Sequence, residues 1–64
     1  MFRMIDFSAN VEFSLENTIE TETLEEAQAY AALAEERARR AGAKPIVEIF
    51  ALAANGHISG ENLR

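Results

Sequence analysis

The chain has 64 residues, no Cys, a single His and a formal net charge of −5 at pH 7. This length fits one domain, and the composition excludes disulfides, thiolate-bound metals and a His-rich metal site, so we expect no cofactor. The acidic balance opposes binding to nucleic acid and to anionic lipid, and it is ordinary for a small soluble domain.

The start of the chain and its hydropathy indicate where the protein works. The first residues lack the basic region and the continuous apolar run of a signal peptide. No stretch approaches the roughly 20 apolar residues that a membrane helix needs. We therefore expect a cytoplasmic protein with no membrane partner.

Residues 5–16 alternate between apolar and polar side chains, which predicts extended chain with one buried side. One interpretation is a single long strand over residues 3–15. The other is a hairpin whose three-residue loop is Ser8-Ala9-Asn10, and we prefer it because strands usually run about 5–6 residues. Residues 18–21 alternate again and predict a short strand that leads into the next element.

The next segment, residues 23–42, carries the clearest signal, that of a helix. Thr23 is a typical N-cap, and Glu26 follows three residues later as in a capping box. The helix interior lacks Pro, Gly and β-branched residues, and Gly42 is the expected left-handed stop. Ala recurs at spacings of three and four, which predicts a close approach to a sheet that supplies the large side chains. The sheet residues expected to meet this helix are Phe7, Val11, Phe13, Val47 and Ile49.

Residues 45–59 predict a strand and a hairpin. Ile46 to Ala53 is apolar at nearly every position, which implies burial on both sides. Asn55-Gly56 is the strongest hairpin signal in the chain, and residues 57–59 are predicted to form a short return strand. Residues 60–64 are expected to be a fraying tail.

These elements predict an α+β fold in two layers, with one Ala-rich helix packed on a small antiparallel sheet in the order ββ(β)αβ(β). The whole chain, 1–64, is one domain. Its parts are an N-terminal β region over 1–22, the helix over 23–42, the strand and hairpin over 45–59 and the tail over 60–64.

One helix covers only one side of a sheet, so the other side is predicted to stay open. If Ile5 and Phe7 face the helix, the alternation leaves an exposed apolar patch on the open side. Patches of several hundred Å² usually mark association sites. We therefore expect a homo-oligomer, with a dimer favoured and another protein as a further partner. The alternative is that N-terminal residues fold over the open side and cover Phe50 within one chain. The predicted interface residues are Phe2, Met4, Ile46, Phe50 and Leu52.

No arrangement of side chains in the sequence indicates an active site. His57, the one candidate base, lies beside the predicted turn, with Ser59 and Glu61 nearby, and the mobile end of a chain gives poor catalytic geometry. The leading interpretation is a non-enzymatic protein-interaction or regulatory module that self-associates through the open face of its sheet.

Two alternatives remain for the function. The first is an acidic inhibitor or antitoxin-like protein that binds a basic protein surface. Its acidic patch would consist of Glu20, Glu22, Glu25 and Glu26. The second is a small-ligand-binding oligomer with an apolar pocket between subunits, lined by Phe2, Tyr30 and Phe50.

Overall fold

The computed structural model describes residues 1–8 and 17–64. These residues form four strands and one helix, in the order β1 (Phe2–Asp6), β2 (Thr18–Thr21), α1 (Leu24–Arg40), β3 (Val47–Leu52) and β4 (Ile58–Ser59). The strands make one sheet in the order β2-β1-β3-β4, and neighbouring strands are antiparallel. Helix α1 joins β2 to β3, which run in the same direction on either side of β1. The predicted α+β fold is therefore confirmed.

The first strand is shorter than the long-strand interpretation required. β1 ends at Asp6, and Ser8 already lies in a turn, so a single strand over residues 3–15 is wrong. The Asp6 carboxylate accepts a hydrogen bond from the Ser8 N–H at 2.8 Å, a local contact typical of a turn. The return strand of the predicted hairpin lies outside the described residues.

Helix α1 begins where the capping signal predicts. The Thr23 hydroxyl oxygen accepts a hydrogen bond from the Glu26 N–H at 3.1 Å and donates one to the Glu26 carboxylate at 3.0 Å. Thr23 is the N-cap, with extended backbone. A side chain therefore satisfies one of the backbone donors that the first turn leaves unpaired.

The helix ends in a Schellman motif. The N–H of Ala43 donates to the carbonyl of Ala38 at 2.9 Å, and the N–H of Gly42 donates to the carbonyl of Arg39 at 3.0 Å. Gly42 takes the left-handed conformation, with φ of 78°. The last carbonyls of α1 are thus paired within the turn that follows, as the position of Gly42 predicts.

The core lies between α1 and one face of the sheet. Met4, Val47 and Ile49 pack against the helix, and Phe2 and Leu24 are partly buried beside them. Small helix side chains let the larger sheet side chains fill the space. The buried helix residues are Ala27, Ala31, Ala34 and Ala38. Val47 and Ile49 are confirmed as helix-facing, whereas Val11 and Phe13 lie outside the described residues.

The register of β1 corrects the prediction of which residues face the helix. Met4 stands opposite Ile19 of β2 and Ile49 of β3, and residues opposite each other in a ladder share a face. Met4 is only 3% exposed. Placing Phe2 and Met4 on the open face was therefore wrong. These two side chains project toward α1, whereas Ile5 and, by alternation, Phe7 project from the other side, so the prediction that Phe7 meets the helix is also wrong.

Candidate interaction surface

The sheet face opposite α1 is called the open face. It is assigned from the strand register, in which Arg3 stands opposite both Glu20 and Phe50. Ile46 follows by alternation, and its carbonyl accepts a hydrogen bond from the Phe7 N–H at 2.7 Å, which extends the ladder. The residues of the open face are Arg3, Ile5, Thr18, Glu20, Ile46, Glu48, Phe50, Leu52 and Ile58.

Exposed apolar side chains concentrate at the β3–β4 side of this face. Ile46 is 44% exposed and Ile58 is 45% exposed, while Phe50 and Leu52 are half-buried. Ile5 lies on the same face but is only 3% exposed, so it offers no contact surface. We call Ile46, Phe50, Leu52 and Ile58 the β3–β4 patch.

The charges of the open face are few and partly neutralised. Arg3 and Glu20 face each other across β1 and β2 and form an ion pair with an N–O distance of 2.8 Å. Among the described residues, Glu48 is the one open-face charge without an ion-pair partner. The β3–β4 patch therefore borders one neutralised pair, and the half-buried Glu48 carboxylate lies within it, between Ile46 and Phe50.

The structure separates the five residues predicted as an interface. Ile46, Phe50 and Leu52 lie on the open face, whereas Phe2 and Met4 pack beneath α1. The sequence prediction missed Ile58. It stands opposite Leu52 across the hairpin, and the Asn55-Gly56 signal together with strand alternation could have placed it there.

Two residues of the acidic patch of the alternative function, Glu20 and Glu26, make local contacts. Glu20 pairs with Arg3, and Glu26 accepts a hydrogen bond from the N-cap hydroxyl of Thr23. Glu22 and Glu25 are exposed. Glu25 and Glu26 also lie in the first turn of α1, where carboxylates complement the helix dipole.

The three residues proposed to line a ligand pocket are not brought together. Phe2 and Phe50 project from opposite faces of the sheet, because Phe50 stands opposite Arg3 rather than Phe2. Tyr30 instead borders a groove of about 210 Å³ between α1 and the β1–β2 side of the sheet, together with Ile19 and Leu33. The proposed pocket is therefore not formed by Phe2, Tyr30 and Phe50 within one chain.

The hairpin that carries His57 is formed as predicted. The Gly56 N–H donates to the Ala53 carbonyl at 2.9 Å, and Gly56 is left-handed, with φ of 82°. His57 is exposed, and its N–H donates to the Asn55 side chain at 3.1 Å. Across residues 1–8 and 17–64, His, Asp and Glu form no cluster of three or more that could hold a metal ion.

Two further observations bear on what the chain can bind. In the part of the chain that the structure describes, no helix combines the length and the apolar character needed to cross a bilayer. Comparisons with family models, curated proteins and solved structures found no match to this chain. The chemistry of its own surfaces therefore carries the functional inference.

Proposed function

We propose that this chain is a non-enzymatic protein-interaction module that forms a dimer through the β3–β4 patch. The observation that carries the proposal is the position of Ile46 and Ile58, which are 44% and 45% exposed on the sheet face that α1 leaves uncovered. Phe50 and Leu52 lie along β3 on the same face and are only half-buried, with Glu48 standing between Ile46 and Phe50. Several apolar side chains exposed on one sheet face are typical of an association site.

The dimensions of the patch suit a symmetric contact. Ile46 and Leu52 are six residues apart on extended chain, a span of about 20 Å. In a two-fold dimer both copies present the same patch, so each apolar side chain of the patch occurs twice in the interface. The patch then becomes the centre of the interface, with the Arg3–Glu20 pair toward its border.

The expected affinity is modest. Each patch side chain is already partly buried, so complete burial contributes about 1 kcal/mol per side chain. Association also costs freedom of motion, and burial of the half-buried Glu48 carboxylate adds a desolvation cost, so the dimer is weaker than the apolar burial alone would make it. We therefore expect dimer formation to develop over micromolar concentrations, from about 5 to 500 μM.

A pair of double variants tests the proposal. Ile46→Lys with Ile58→Lys places two charges on the patch at positions that are already exposed, so folding is largely spared. The matched control is Tyr30→Lys with Leu33→Lys, which removes apolar side chains of similar exposure, 44% and 55%, from the helix side of the molecule. Circular dichroism checks that both variants keep the helix.

Sedimentation equilibrium then compares the association of each variant with that of the unmodified chain. We expect the patch variant to stay monomeric over the whole concentration range, and the control to dimerise like the unmodified chain. If the patch variant dimerises as strongly as the control, the dimer forms through another surface.

A further inference from the structure

The outer edge of β3 is covered in two different ways. At the C-terminal end of β3, β4 covers the edge, with Ala51 opposite Ser59 and Leu52 opposite Ile58. At Ile49 the edge is covered by residues that do not form a strand. The Asn62 side-chain oxygen accepts a hydrogen bond from the Ile49 N–H at 2.9 Å, and the Leu63 N–H donates to the Ile49 carbonyl at 2.8 Å.

Residues 60–64 therefore occupy the place of a neighbouring strand beside β3, although they are not themselves a strand. Gly60 is left-handed, with φ of 84°, where the chain leaves β4. Asn62 also accepts a hydrogen bond from the Arg64 N–H at 3.0 Å, which holds its side-chain oxygen toward β3. The expected fraying tail is thus hydrogen-bonded to the strand that carries Ile49, the most deeply buried large side chain of the core.

One ion pair anchors this segment to the helix. The Arg64 guanidinium donates to the Glu35 carboxylate of α1, which joins the end of residues 60–64 to the opposite layer of the fold. The segment otherwise buries little, since every residue from 60 to 64 is exposed, Leu63 included. A segment held by few hydrogen bonds and little apolar burial opens at low free-energy cost.

The outer edge of β3 beneath residues 60–64 has the features needed to pair with the same edge of a second copy. β3 is rich in apolar and β-forming residues, and strands of this kind pair with other chains unless their edges are covered. Pro45 has no N–H to donate and bounds the edge on one side, while β4 bounds it on the other. By alternation, Val47 and Ile49 present their backbone groups between these limits. Two copies of β3, antiparallel about Glu48, match Val47 of each to Ile49 of the other.

We propose that residues 60–64 are a latch that prevents β3 from pairing with β3 of a second copy. Release of the Arg64–Glu35 ion pair frees the segment. The Ile49 N–H then donates to the second strand in place of Asn62, and the Ile49 carbonyl accepts from the second strand in place of Leu63. This contact uses the edge of the sheet and is distinct from the β3–β4 patch on its face.

The test is made in the Ile46→Lys and Ile58→Lys background, so that association through the patch does not contribute. Arg64→Glu opens the latch, and Glu35→Arg combined with Arg64→Glu restores the ion pair in reverse. Arg40→Glu is the matched control, because it breaks the exposed Glu36–Arg40 pair of the same helix. A chain lacking residues 60–64 is a second open form, and Arg64→Glu carries the test if that chain does not fold.

Amide hydrogen exchange at Ile49 and sedimentation equilibrium are the two measurements. In dilute Arg64→Glu protein we expect exchange at Ile49 to rise by about tenfold or more. At high concentration this protein should associate and regain the protection of Ile49. The charge-reversed pair should restore the starting behaviour, and Arg40→Glu should not differ from it. Replacing Glu48 by Gln in the open form should strengthen association, since the two carboxylates stand opposite each other in the paired strands.

Two results would overturn the proposal. Unchanged exchange at Ile49 in the open forms would show that residues 60–64 do not protect this edge. Faster exchange with no increase in mass would show that the uncovered edge does not pair with a second copy. Neither result depends on whether the unmodified chain dimerises through its patch, because the background removes that contact.

Discussion

Leu52 and Ile58 stand directly opposite each other on β3 and β4, and both side chains project from the face that α1 does not cover. The hairpin between them places two apolar residues from different strands side by side. With Phe50 and Ile46 along β3, they make the β3–β4 patch on which the proposed dimer depends.

Replacing Ala31 by Leu tests the close approach of the helix to the sheet. Ala31 is completely buried in the core, whereas its neighbour Ala32 is exposed, so Ala32→Leu is a matched control on the same helix. We expect Ala31→Leu to lower the free energy of unfolding by about 1–3 kcal/mol, because a larger side chain overpacks the core. Urea unfolding measures both variants. Equal stability of the two would contradict the close contact at Ala31.

The left-handed backbone of Gly42 gives a second test. A Cβ atom at this position meets nothing within 4 Å, so the cost of a side chain there comes from the backbone conformation alone. We expect Gly42→Ala to lower the free energy of unfolding by about 1 kcal/mol. Gly42→Asn should cost less, because Asn tolerates the left-handed region better than Ala does. Thermal and urea unfolding compare the three proteins, and an Ala variant as stable as the Asn variant would count against the Schellman ending.

Salt distinguishes the patch from the acidic surface as the site of association. An apolar contact persists as ionic strength rises, whereas a contact made by Glu22 and Glu25 is screened over a Debye length of about 3 Å at 1 M salt. We expect the dissociation constant of the dimer to change by less than about threefold between 0.05 and 1 M NaCl. A loss of association of tenfold or more would instead favour an acidic-surface contact.

The ends of the helix could be predicted because their chemistry is local. Thr23 and Glu26 are three residues apart, and Gly42 follows the last helical turn directly, so each signal is complete within a short stretch. The Asn55-Gly56 hairpin belongs to the same class, since its turn depends on one left-handed glycine.

Which side chains of β1 project toward the helix could not be predicted in the same way. Met4 and Ile5 are both apolar neighbours, so alternation allows either one to face the helix. The choice is made by the register with β2 and β3, which brings Met4 opposite Ile49 and beneath the buried alanines of α1. The role of Asn62 could not be predicted either, because its hydrogen bond with Ile49 joins residues that are 13 apart in the chain.

Sedimentation equilibrium of the unmodified chain, from about 5 to 500 μM, tests the proposed dimer most directly. The monomer has a mass of 7.1 kDa. We expect the weight-average mass to rise with concentration toward twice that value, and to stay at the monomer mass when Ile46 and Ile58 are replaced by Lys. A constant monomer mass for the unmodified chain over the whole range would contradict association through the β3–β4 patch.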